Sequence, residues 1–222
     1  MPNIVLQDLT AIIHNTSRYN GNQSDSVHVE ILLQTDVPLT PNDQWYIPFG
    51  GISVPNEVLE FFKATNIAMY PMKAEEVIAG TEDIIAQSEA GNLQDVELDA
   101  AKLMLRAIMK KTSFTPVVGT NNVYMLSYDY KLYPMKEMQN AFEFKVVLPF
   151  SGLGMLNGAN NSKVQMTVIM PIASKIDANA TKGVAINGVE VNELVKPMEN
   201  VNRNILSFEY HQDPLFTIRY LY

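Results

Sequence analysis

Three imidazoles, His14, His28 and His211, are all that this chain offers for acid–base chemistry near neutral pH, and cysteine is absent. The missing thiol excludes disulfides, thiolate nucleophiles, iron–sulfur clusters and Cys-type zinc sites. His28 and Glu30 stand two apart, a spacing that puts both on one face of a strand, where they could ligate a metal or pair a base with its orienting carboxylate. Within Val27–Gln34 the same spacing is what a solvated strand face produces, and that is the reading we adopt. His211-Gln212-Asp213-Pro214 reads as a turn, with Asp213 free to bond its own backbone.

The carboxylates of the expected helical block fall into two groups, Glu75, Glu76, Glu82, Asp83 and Glu89, then Asp95, Glu97 and Asp99. Paired carboxylates can cleave glycosides or hold metals only where they converge in a cleft, whereas carboxylates near helix N-termini need no function. Their spacing also fails the calcium-loop pattern. Phe150-Ser151-Gly152-Leu153-Gly154-Met155 lacks the third glycine, the lysine and the following helix of a phosphate loop, and Ser151 is not at a nucleophile elbow. No catalytic, cofactor or metal residue is therefore assigned, and the chain is expected not to be an enzyme.

The elements that would position any such groups are mostly strands. Val27, Val29, Ile31 and Leu33 alternate with His28, Glu30 and Gln34, and Ile4 to Ile13 alternates imperfectly. Period two returns in Tyr124 to Leu132, Phe142 to Leu148 and Val164 to Met170. Asn187-Gly188 marks a hairpin, since a type I′ turn needs positive φ at both central residues. Ile205 to Tyr210 and Leu215 to Tyr222 read as a final hairpin. Between the strands, residues 71–112 read as a helical hairpin in two pieces, Lys73 to Ala90 and Asn92 to Met109, broken at Gly91. In the second piece Asn92 is the expected N-cap, Leu93, Val96, Ala100, Leu103 and Ala107 form the apolar face, and Lys110 and Lys111 close the helix. The expected fold is one mainly β domain over 1–222, an antiparallel β-sandwich of jelly-roll type with the helical hairpin inserted at 71–112.

Composition narrows the partners. The chain of 222 residues is 47% hydrophobic and 18% charged, enough apolar material for a packed core, and its formal charge of −8 repels phosphate and anionic lipid. Direct nucleic-acid binding is not expected. No apolar run reaches the roughly 18–20 residues that span a bilayer. The start, Met1 to Val5, lacks a signal peptide's basic and apolar regions, so four Asn-x-Ser/Thr matches, at Asn15, Asn22, Asn160 and Asn179, are read as accidents of an Asn-rich chain.

A Cys-free, Asn-rich, acidic β-protein of this layout resembles, in overall style rather than in any motif, a structural protein of a phage or related virus. That resemblance implies self-association, contacts with other virion proteins and residence in the virion. The terminal strand is the expected contact, because Phe216, Ile218, Tyr220 and Tyr222 lie on one face while Leu215, Thr217, Arg219 and Leu221 add bulk to the other. The alternative is a ligand-binding sandwich of carbohydrate type, although the chain has a single tryptophan, Trp45, for a sugar platform.

Overall fold

The structure, a computed structural model, describes residues 2–21, 23–65, 71–73, 84–135, 138, 140–147, 153–156, 162–185, 190–191, 194–195, 203–210 and 214–222. In chain order the strands are β1 (Asn3–His14), β2 (Asp25–Thr35), β3 (Trp45–Pro48), β4 (Met72–Lys73), β5 (Met109–Thr112), β6 (Thr115–Pro116), β7 (Val123–Leu132) and β8 (Ala141–Val147). They continue as β9 (Gly154–Met155), β10 (Lys163–Ile169), β11 (Lys175–Ile176), β12 (Lys182–Ala185), β13 (Glu190–Val191), β14 (Leu194–Val195), β15 (Ile205–Tyr210) and β16 (Pro214–Leu221). The helices are α1 (Asn56–Ala64), α2 (Ile84–Glu89) and α3 (Leu93–Ile108), with a 3₁₀ turn at Thr16–Tyr19. The chain is mainly β.

The first sheet runs β14-β15-β10-β1-β2-β7-β6, with β9 also on β1. β1 and β2 are its centre, antiparallel, with Leu9 opposite Ile31 and Ala11 opposite Val29, all four fully buried. Their register shifts between Ile4 and Leu6, so Ile4 turns inward on the same side as Gln7, Leu9, Ala11 and Ile13. That bulge is why strict alternation fails in β1. β10 pairs with β1 in parallel, Leu9 beside Met166, so the sheet is mixed where an antiparallel one was expected. Strict alternation holds in β2 and β7, whose Tyr124, Leu126, Tyr128, Tyr130 and Leu132 face inward.

The second sheet runs β11-β16-β12-β13, with β8 on the other edge of β16. Its inward residues, Phe142, Phe144, Val146, Phe216, Ile218 and Tyr220, join the inward face of the first sheet in a single buried apolar cluster. β15 and β16 are not a hairpin as expected from sequence: β15 lies on β10 and β14, and β16 lies on β8, β11 and β12. The chain instead crosses between sheets, and the crossing is marked by Phe208 and Phe216, whose rings meet at 5.0 Å. Both strands carry large buried side chains, Leu206 and Phe208 on β15 and Phe216, Ile218 and Tyr220 on β16, and all of them join one apolar cluster. The expected hairpin at Asn187-Gly188 lies outside the described residues, but β12 and β13 flank it and pair antiparallel, Val184 opposite Glu190.

The block at 71–112 is bounded by strands. β4 and β5 pair with the two edges of β3, Trp45 opposite both Lys73 and Thr112. Lys110 and Lys111 therefore belong to β5 and do not cap α3, which ends at Ile108. Of the first expected helical piece, Lys73 is in β4, residues 84–89 form α2, and 74–83 lie outside the described residues. Gly91 makes the break with φ of 74°, a left-handed conformation that suits glycine. Asn92 is the N-cap, but its side chain bonds the Asp95 carboxylate and leaves the helix amides to others. α1 was not expected from sequence. It packs its Phe62 with Ala101, Leu105 and Met109 in a second, smaller apolar cluster.

Among the described buried polar groups, Asp25 links the two sheets by hydrogen bonds. Asp25, at the start of β2, is 0% exposed, and its Oδ2 accepts the hydroxyls of Tyr220 at 2.6 Å and Tyr222 at 2.8 Å. The Ser17 amide donates to its Oδ1 at 3.0 Å. Burial, reinforced by the Asp25 carboxylate, pushes both tyrosine hydroxyls well above their ordinary range, so the folded chain keeps them protonated. The unfolded chain ionises them near pH 10. Their contribution is therefore complete below about pH 10 and is lost as pH rises beyond it. Urea titration is expected to show stability falling above that pH, with a shallower fall in Tyr220→Phe, which costs about 1.5–3 kcal/mol at neutral pH for one hydrogen bond to a charged group. Asp25→Ala orphans three donors and is expected to cost at least about 3 kcal/mol; an Asp25→Ala chain as stable as the parent would remove Asp25 from this role.

Candidate functional site

The residues expected at a contact, Phe216, Ile218 and Tyr220, each have 0% exposure inside this chain's own core, and Tyr222 is half-buried with its hydroxyl on Asp25. Their apolar bulk is consumed within the chain. The opposite face of β16 is polar at its middle: Arg219 donates to Glu143 at 2.8 Å and lies 3.9 Å from Asp177, while Lys145 meets Glu143 at 2.8 Å. Burial raises the Glu143 carboxyl, but the hydrogen bonds from Lys145 and Arg219 outweigh it and hold its pKa below the ordinary value.

His28 and Glu30 do share the outward face of β2. His28 Nδ1 meets Asp129 of β7 at 2.8 Å, and Nε2 lies 3.5 Å from Glu30. Asp129 was not singled out in sequence, and only the β2–β7 register, with His28 opposite Asp129, brings it there. The cluster lies open on a sheet face, its side chains 34%, 57% and 75% exposed. It can orient and charge an imidazole. It cannot shield a reaction from water. Among the described residues no group of three or more His, Asp or Glu converges as a metal site. His14 is exposed at the end of β1, and residues 211–213, 151–152 and 74–83, with their candidate groups, lie outside the described residues.

α3 reverses its expected orientation. Asp99, Ala101 and Leu105 are the buried residues, whereas in the predicted core stripe Leu93 and Leu103 are exposed at 73% and 40%, Ala107 is exposed, and Val96 and Ala100 are half-buried. Met104, at 43%, extends the same outward arc. The helix carries two apolar arcs, and the one with Ala101 lets α1 approach closely enough to cover Leu105. The wider arc is left outside.

A cleft of about 630 Å³ opens beside α1. Its walls come from the turn before β2 (Gly21, Gln23, Ser24), from Ser53 to Asn56 with Leu59 and Glu60, and from Lys131 with Tyr133 to Met135 at the end of β7. The turn is held by Asn20, whose Oδ1 accepts the Gln23 amide at 3.0 Å and whose Nδ2 donates to the Ser24 carbonyl at 2.9 Å. Sequence reasoning missed the cleft because its residues come from three segments far apart in the chain, and no local period links them.

Among the described residues no helix is long and apolar enough to cross a membrane. The Asp129 hydrogen bond, the largest of the effects on it, raises the His28 pKa above 6.5 against a smaller opposing effect of burial. The folded chain then holds this proton more tightly than the unfolded one, so the stabilisation is full below about pH 6.5 and vanishes as pH rises through the folded value. As a surface pair it is worth about 0.2–1 kcal/mol. An NMR titration of the His28 ring is expected to give a value above that of Asp129→Asn; equal values in the two proteins would dismiss the pairing. Compared with known proteins, the chain matches no family model and no curated relative.

Proposed function

We propose that this chain is a structural subunit that self-associates into a larger particle, a capsid or other virion component, built on a jelly-roll sandwich and without a catalytic role. The observation that carries the proposal is the outward apolar arc of α3, Leu93, Leu103 and Met104 on one helix, an arrangement unlike the singly scattered apolar residues of an ordinary surface. A second copy of the chain is the occupant that fits. Asp95 and Glu97 lie in the first half of α3, while Arg106 lies in its last turn and Lys110 and Lys111 follow it. Two antiparallel copies of the helix, related by a two-fold axis near Ala100, set the acidic first half of each beside the basic end of the other and bring Leu93 against Ala107. The half-buried Ala100 would let the helices approach closely at the axis.

The contact so placed replaces the terminal strand as the assembling surface, because that strand's aromatic face is filled from within. The net charge of −8 keeps free subunits apart until the specific surface engages. Leu103→Glu combined with Met104→Lys changes only exposed side chains and is expected to alter stability by no more than about 0.5 kcal/mol. Light scattering after size exclusion is expected to show species above monomer mass for the parent and monomer for the variant. A parent that stays monomeric at high concentration, or a variant that associates unchanged, defeats the proposal.

A further inference from the structure

We propose that the cleft beside α1 is a binding site for a neutral sugar residue, a function separate from assembly. Its volume of about 630 Å³ falls within the range of about 300–1,000 Å³ typical of small-molecule sites. The chemistry of the walls selects the class of ligand. The side-chain amides of Gln23 and Asn56 and the hydroxyl of Ser53 supply both donors and acceptors, as sugar hydroxyls require. Pro134, with the small exposed parts of Val54 and Leu59, supplies apolar surface for the C–H face of a pyranose. Glu60 and Lys131 oppose each other in sign, so the cleft favours neither anion nor cation.

Competing ligands fit less well. A phosphate or nucleotide would meet Glu60 and the repulsion of a chain with charge −8. A wholly apolar ligand would desolvate Gln23, Asn56 and Lys131 without replacing their hydrogen bonds. The site is also built in advance of its ligand. Asn20 clamps the turn that carries Gln23, and Asp25 anchors the strand that follows it. Little ordering is left to oppose binding.

Saturation-transfer NMR on the full chain, with the methyl glycosides of glucose, galactose, mannose and N-acetylglucosamine at millimolar concentration, tests the proposal. Transfer to at least one glycoside is expected, weakened about tenfold in Kd by Gln23→Ala or Asn56→Ala, the effect of one lost hydrogen bond, and unchanged by Ser127→Ala on the outward face of β7. Asn56 begins α1, whereas Gln23 lies on an exposed turn, so Gln23→Ala serves should Asn56→Ala unfold. No transfer to any of the four glycosides overturns the proposal. So does a glycoside Kd left unchanged by Gln23→Ala, or transfer abolished by inorganic phosphate, which would mark an anion site. Assembly enters none of these readouts.

Discussion

A carboxylate with no exposure is tolerated in an apolar core only when its oxygens are occupied, and Asp25 meets that condition with three donors from two places in the chain. Tyr220 and Tyr222 reach it from the second sheet, and the Ser17 amide reaches it from the 3₁₀ turn. Apolar contacts between two sheets are non-directional and permit sliding, whereas three hydrogen bonds to one carboxylate define a position. Asp25 therefore sets the end of β16 against the start of β2. Arg18, over the Tyr222 ring at 4.6 Å, adds a cation to the same junction. The consequence extends to the cleft, because the turn docked on Asp25 continues through Asn20 into the wall that carries Gln23 and Ser24.

β3 plays the corresponding part for the helical block. With period two, Trp45 and Ile47 enter the main core, where Trp45 meets Phe114 edge-on at 5.1 Å. Tyr46 points the other way, packs against the smaller cluster around Leu105, and accepts the Arg106 Nε–H at 3.2 Å. One strand of four residues thus serves two cores. Because α1 and α3 have a core of their own, the block can present an apolar arc outward without opening the main core.

The strands were legible where one face is buried and the other wet. β2, β7, β8 and β10 follow the period-two signal, since each residue's side alone decides its solvent. β1 was blurred by a bulge, which local alternation cannot register. The two apolar arcs of α3 were both present in the sequence. Leu93, Val96, Leu103 and Ala107 made the larger one, and hydrophobicity alone favoured burying it. Ala101 won because close helix contact rewards a small side chain at the crossing, a property of the partner helix.

The same division runs through the candidate sites. His28 and Glu30 were visible together because a strand's own geometry aligns residues two apart. Asp129 lies 101 residues from His28, and Tyr220 lies 195 residues from Asp25. The sequence by itself determined the mainly β class, the presence of helix between the strands, and the absence of thiol chemistry, because residue type and local period suffice for these. Only the tertiary structure decided that β15 and β16 belong to different sheets, that the terminal aromatics are spent internally, and that three distant segments line a cleft. Each of those depends on which distant surfaces bury each other, and pairing free energy between distant segments leaves no local period to read.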